Sequence, residues 1–305
     1  MRKKFCQTVV SVIAACSCAV TVMSGSTLAS TTEVNSEASE TEAATEAATE
    51  AEGKNAGSKT ALDDAEAVAA AKSDKYKDIL KGTTLQIGCD VSFVPFTFPD
   101  KDDKYTGFDI DLIDAMADYL GFKYELQPME FTALLASVQT KKLDLGTAGI
   151  TITDEREKVM DFTDPYYDAG LQILVRNDSD IKDFDDLTSG VTVATKQGTA
   201  SADYLAQNCP DATVTEFPTS DEAYLEVSRG SAQAAVFDAP NMLYYCKTNP
   251  DAGCKVVGSL VDACQYGILF PDGSENTKYF NAALVKFEED GTYDSIYQKW
   301  FGGEQ

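Results

Sequence analysis

Arginine is scarce in this 305-residue chain, at positions 2, 156, 176 and 229, and only Arg156 lies among small, hydroxyl-bearing residues. The stretch from Gly146 to Tyr167 reads GTAGITITDEREKVMDFTDPYY. Leu143-Asp144-Leu145 ahead of it has the character of the end of a buried strand, and Ala148 to Thr153 reads as a turn. Such a turn exposes backbone N–H and C=O groups, and Thr151 adds a hydroxyl that both donates and accepts. Thr153-Asp154-Glu155 then caps a helix start, with Arg156 in its first turn. A guanidinium there is a planar fork matched to a carboxylate. Together these groups can hold both charged ends of a free amino acid: Arg156 at the carboxylate, Thr151 and nearby carbonyls at the ammonium. The alternative for Arg156 is a solvated position on the helix.

The string AGITITDER, followed in order by Asp161-Phe162-Thr163 and Tyr166-Tyr167, resembles the amino-acid-binding proteins of ABC uptake systems, extracellular solute-binding protein family 3, and among them the glutamine-binding proteins most. The resemblance runs from about Leu85 to Gly302. It implies an α/β fold of the two-lobe, type II periplasmic-binding-protein kind, with doubly wound sheets joined by two crossing strands near Tyr166–Leu174 and Asp262–Tyr266. Two lobes so joined can close over a small ligand and exclude water. It also implies the rest of the site. Asp90 and Phe93 match the acid and aromatic that follow the first strand, and Phe93 and Phe131 match the aromatic walls around the ligand's aliphatic stem. Ala148, Gly149 and Thr151 match contacts to the ammonium and carboxylate. Lys196, Thr199 and Ala200 match a KxGT turn whose helix-start N–H groups suit a carboxylate; the relatives often carry Gly at position 200. Asp238 matches the acid that grips the ammonium, the alternative being a helix cap before Pro240. For the Phe residues core packing is the commoner role.

Asp90 and Lys196 decide the ligand. An acid alone would suit arginine or lysine. A lysine opposite it penalises a cation and neutralises the acid, which leaves a polar pocket suited to an amide, so glutamine comes first. The departure is Phe237, where the glutamine binders carry His, because Phe cannot hydrogen-bond. The implied activity is capture of an amino acid and delivery to ABC transporter permease subunits, with no chemistry on the ligand and no cofactor. Rival readings are a binding protein for basic amino acids and a cyclohexadienyl-dehydratase-like enzyme of the same fold. A lytic-transglycosylase module or a receptor's sensor module would need a further catalytic domain or a downstream spanning segment.

The elements that position these residues alternate strand and helix. Leu85–Cys89 is a strand followed by a loop to Pro99. Phe108–Leu120 is an amphipathic helix, Tyr124–Leu126 a strand and Phe131–Thr140 a helix. Asp183–Leu187 reads as a turn into the strand Val191–Ala194. Lys196–Ser201 opens a helix, Val214–Phe217 and Ala234–Phe237 are strands, and Gln265–Phe270 is apolar before the last helices. This alternation predicts parallel sheets with ligands at strand carboxyl ends. The expected division is a signal peptide at 1-29, an acidic linker at 30-60, a helix at 61-82, a first lobe at 83-168, a second at 169-265 and a return to the first at 266-305. The helix carries Leu62, Ala65, Ala69, Tyr76, Ile79 and Leu80 near helical spacing, between a Thr60/Asp63 cap and Gly82.

Met1-Arg2-Lys3-Lys4 before the apolar run Val9–Met23 has the layout of an export signal. Cleavage after Ala29 competes with a lipobox ending at Cys16, which would make the chain a lipid-anchored protein and give its only tie to a membrane. Exported localisation and a monomer are the expectation. A net charge of −25 opposes binding to nucleic acid. The chain has no His, which removes the usual general base and the commonest zinc ligand. Beyond the leader lie Cys89, Cys209, Cys246, Cys254 and Cys264. Cys246 and Cys254, bracketing the turn-like KTNPDAG, are candidates for a disulfide or two free thiols, and no pair has metal-ligand spacing.

Overall fold

A computed structural model describes residues 64–302 of the chain. The expected leader, the lipidation at Cys16, the cleavage site at Ala29 and the linker lie outside those residues. Strands are β1 (Thr84–Cys89), β2 (Phe98–Pro99), β3 (Tyr105–Thr106), β4 (Lys123–Pro128), β5 (Leu145–Thr151), β6 (Met160–Phe162), β7 (Tyr167–Arg176), β8 (Thr192–Lys196), β9 (Thr213–Phe217), β10 (Ala234–Asp238) and β11 (Cys254–Pro271). All but β2 and β3 form one sheet ordered β4-β1-β5-β11-β7-β10-β8-β9, with β6 against β11.

Pairing divides this sheet into two parallel triplets around an antiparallel middle. β1 runs parallel to β4 and β5, and β8 runs parallel to β9 and β10. Between them β7 and β11 lie antiparallel over most of their length. Cys254 to Val257 of β11 pair with Arg176 to Ile173, beside β10, whereas Tyr266 to Leu269 pair with β5 and β6 on the other side. The chain therefore passes between halves on two adjacent strands, with register shifts at Val257–Val261 and Val261–Cys264. Each half buries its own apolar core. One gathers Leu134, Val138, Ile150, Met160, Phe162 and Leu269; the other gathers Ile173, Val175, Val193, Leu205, Ala234 and Val236. In each triplet the inner strands are buried over most of their length, whereas the edge strands β4 and β9 mix half-buried with exposed residues.

Three expectations are corrected. Ala148 to Thr151 is not a turn. It is the end of β5, buried along its whole length, because β1 and β11 flank it and satisfy its backbone. The helix expected over 61-82 ends at Lys72 and is followed by turns. Ser73 Oγ donates to the Ala69 carbonyl at 2.8 Å and Asp74 takes a φ of 49°, which together stop the helix; Thr60 and Asp63 lie outside the described residues. Cys246 and Cys254 are free thiols rather than a disulfide. The Cys254 thiol points to the Ala252 carbonyl at 3.4 Å, and burial first, then the neighbouring Cys254, pushes Cys246 up to about 11.

Helices fall closer to expectation. Phe108–Leu120 buries Ile110, Leu112, Ile113, Met116 and Leu120 and ends at Gly121, which donates to the Ala117 carbonyl at 2.9 Å. Phe131–Gln139, Ala200–Asn208, Ser220–Arg229, Ala239–Thr248, Asn276–Asp290 and Thr292–Phe301 complete the layers. Among the described residues no helix is long and apolar enough to cross a membrane.

Candidate functional site

Four strands of the sheet end at one place. Asp90 follows β1, Thr151 closes β5, Lys196 closes β8 and Asp238 closes β10. Parallel strands of a doubly wound sheet point their carboxyl ends into a crevice, so these four loops face one another. The cleft between them is lined by all twelve residues singled out from the sequence: Asp90, Phe93, Phe131, Ala148, Gly149, Thr151, Arg156, Lys196, Thr199, Ala200, Phe237 and Asp238.

Arg156 sits on the short helix Asp154–Glu157, whose Thr153 cap accepts the Arg156 N–H at 3.3 Å. Its guanidinium donates to the Thr151 carbonyl at 2.7 Å and to the Gly198 carbonyl at 3.3 Å, and lies 5.4 Å from the Phe131 ring centroid. Burial lowers its proton affinity, partly offset by Asp203 and Asp238. Arginine stays charged under any such shift. With two carbonyls and a ring fixing it, the fork keeps donors to spare.

Lys196 and Asp90 are buried, 2% and 3% exposed, and form an ion pair across the cleft. Ser92, two residues after Asp90, donates from N and Oγ to Asp90 Oδ1 at 3.1 and 2.7 Å, and accepts from Lys196 Nζ at 3.1 Å. Burying a lone charge is costly, and this pair with its hydroxyl relieves it. Asp238 differs. It occupies the cap position of the helix Ala239–Thr248 yet makes no cap hydrogen bond, and its Oδ1 is buried with no hydrogen-bond partner. Burial pushes its carboxyl up to about 6, moderated by the Tyr266 hydroxyl and by the Lys196 and Arg156 cations. A cleft that holds a spare guanidinium and a spare buried carboxylate, with its other two charges paired, is complementary to a neutral molecule bearing one acid and one ammonium.

Apolar walls complete it. Phe237 meets Phe93 edge-on at 5.7 Å, and Phe93 stacks on Phe96 at 5.0 Å. On the far side, Thr199 starts the helix Ala200–Asn208 with its hydroxyl turned to the Lys196 carbonyl at 2.6 Å, so no side chain caps that helix. Gly149, in the middle of a buried strand end, has a φ of 55°, a conformation that favours glycine.

Three polar partners were not legible as such: Ser92, Asp109 and Asn241. For Ser92 a signal existed, since a hydroxyl two residues after an Asp often closes on it. Asn241 donates to the Val94 carbonyl at 2.5 Å, across the cleft, and accepts from the Tyr224 hydroxyl. No local pattern announces a contact between residues 147 positions apart.

The sequence pattern of the bacterial extracellular solute-binding proteins, family 3, matches residues 85–303. The L-cystine-binding protein TcyJ of Escherichia coli (strain K12) is 32% identical over 224 residues, covering 72% of this chain and 84% of that protein. The ABC transporter glutamine-binding protein GlnH of Bacillus subtilis (strain 168) is 34% identical over 198 residues, 64% of this chain and 72% of its own length. Among solved structures, an ancestral arginine-binding protein bound to glutamine superposes with a TM-score of 0.69 at 41% identity, covering 72% of this chain and 98% of the other. With the crossing strands, the converging strand ends and a match over most of its length, this chain belongs to the bacterial extracellular solute-binding proteins, family 3, and has the type II periplasmic-binding-protein fold.

Proposed function

We propose that this protein captures a free amino acid with an uncharged polar side chain, glutamine first, and hands it to the permease of an ABC importer outside the cytoplasm. The observation that carries this is the joint presence in one cleft of the Arg156 fork and the unpartnered Asp238 Oδ1. The ligand carboxylate lies between Arg156 and the uncapped start of the helix Ala200–Asn208, and its ammonium meets Asp238. Residues 83-168 with 266-305 form one lobe and 169-265 the other. The Asp90–Lys196 pair at the side-chain end disfavours a cation, and Phe237 leaves an amide fewer partners than a histidine would. Relatives named for cystine, glutamine and arginine support an amino acid and leave its side chain to this chain's own residues.

A thermal-shift screen of the full chain against the twenty amino acids and cystine tests the reading. Glutamine should give the largest shift, by about 3 kcal/mol of linkage at a hundredfold excess over the dissociation constant. Shifts with arginine and lysine alone would overturn the role given to Lys196, and none with any amino acid would overturn the reading. Incubation with prephenate, followed by its aromatic product, tests the enzyme reading, which a precursor of cyclohexadienyl dehydratase among the solved neighbours brings into view.

Titration of Asp238 supplies a second expected result. An ammonium pairs with the ionised carboxylate only, and that carboxyl sits at about 6 in the empty protein. Affinity should therefore fall about tenfold from pH 8 to pH 5, with protons released on binding in that range. The same group costs the empty protein stability as pH rises from about 4 through 6, because the folded carboxyl keeps its proton longer than the unfolded one. Calorimetry at several pH values checks it; a flat profile would remove Asp238 from the ammonium.

A further inference from the structure

Asp109 is the most enclosed acid near the cleft, with no exposed surface, yet it does not line it. It comes from the second position of the helix Phe108–Leu120, where DIDLID reads as alternating acids and aliphatics. All its partners are uncharged donors. Thr147 Oγ1 and the Gly149 N–H bond Asp109 Oδ2 at 2.7 and 2.8 Å, and the Tyr166 hydroxyl lies 2.8 Å from both oxygens. No cation is among the groups that act on it, and burial pushes it up to about 6 against these hydrogen bonds.

These partners are at telling positions. Gly149 lines the cleft at a φ of 55°, against the Phe93 ring. Its N–H is committed to Asp109, so it presents only a carbonyl to a ligand. Tyr166 directly precedes β7, its N–H donates to the Tyr266 carbonyl of β11 at 2.9 Å, and its carbonyl accepts from the Tyr293 hydroxyl. One carboxyl thus joins the floor of the cleft to both crossing strands.

We propose that Asp109 is a positioning residue for the binding site, holding the Gly149 peptide in its left-handed shape and fastening it through Tyr166 to the strands that link the halves. The inference rests on reading the cleft as a ligand site. Because the partners include two hydroxyls that can reverse direction, an amide should replace the acid tolerably: its oxygen accepts from Gly149 while its NH₂ donates to a hydroxyl. A hydrocarbon cannot.

The test compares Asp109→Asn with Asp109→Val in the full chain. Glutamine affinity should stay within about fivefold of wild type in the amide variant and fall about 30-fold in the hydrocarbon variant, where buried donors lose their acceptor. A second readout follows the bond itself: the amide proton of Gly149 by NMR. In wild type that signal should shift with pH through a midpoint near 6, and in Asp109→Asn it should not. The other titratable groups facing Asp109, Cys89 on β1 and Tyr166, are held well above their ordinary ranges and do not titrate there. A pH-independent Gly149 amide in wild type, or a folded Asp109→Val protein with unchanged affinity, would overturn the proposal. Should Asp109→Val fail to fold, the NMR comparison of wild type with Asp109→Asn decides alone. If wild type binds no amino acid but its Gly149 amide responds as described, the functional reading fails, and what stands is only that Asp109 holds the Gly149 peptide.

Discussion

Arg156→Ala should abolish amino-acid binding while the protein stays folded. The guanidinium would make two charge-assisted hydrogen bonds to the ligand carboxylate, each contributing about 1.5–3 kcal/mol. Losing both costs about 3–6 kcal/mol, two to four orders of magnitude in affinity. The side chain is half-buried and bonds only two carbonyls, Thr151 and Gly198, so stability should drop by roughly 1–2 kcal/mol. Calorimetry with glutamine and a melting curve separate the two. Unchanged affinity in a folded variant would remove the carboxylate clamp and with it the orientation given to the ligand.

Gly149→Ala should destabilise the protein and weaken its cleft together. A side chain at a φ of 55° costs about 1–2 kcal/mol from the backbone alone. A methyl there would come within 2.2 Å of the Phe93 ring. Phe93 cannot swing away, because Phe96, Phe237 and Tyr266 pack around it at 5.0, 5.7 and 6.0 Å. Overpacking of this kind costs about 1–3 kcal/mol more. The melting temperature should fall by roughly 5–15 °C. Affinity should fall with it, since Phe93 and Gly149 are both walls of the cleft. A variant that melts and binds as wild type would show that the ring has room which the packing denies.

Arg156 and Thr151 were legible from their own hydroxyl-rich surroundings, and the rest of the twelve cleft residues through the family resemblance, carried by short continuous strings. KQGTAS opens a helix and FDAP ends a strand before a proline, and both do so in the fold. What was not legible depended on partners far along the chain. Ala148 to Thr151 looks like a turn because Gly and Thr are ordinary turn residues. It becomes strand only because Gly146, Ile150 and Thr151 find Leu269, Gly267 and Tyr266 more than a hundred residues later. Asp109 fails for a related reason: an acid at the start of an amphipathic helix is normally wet, and only Thr147, Gly149 and Tyr166 make its dry position tenable. The helix over 61-82 was overextended because its spacing stayed apolar past Lys72, while the stop came from a serine hydroxyl and a left-handed Asp74.

Asn241 reaches over to the Val94 carbonyl and is itself anchored by Tyr224. The bond ties the loop after β1 to the start of the helix after β10, segments 147 positions apart. It stabilises only arrangements in which those two segments touch, so replacing this one amide would tilt the balance toward arrangements in which they stand apart.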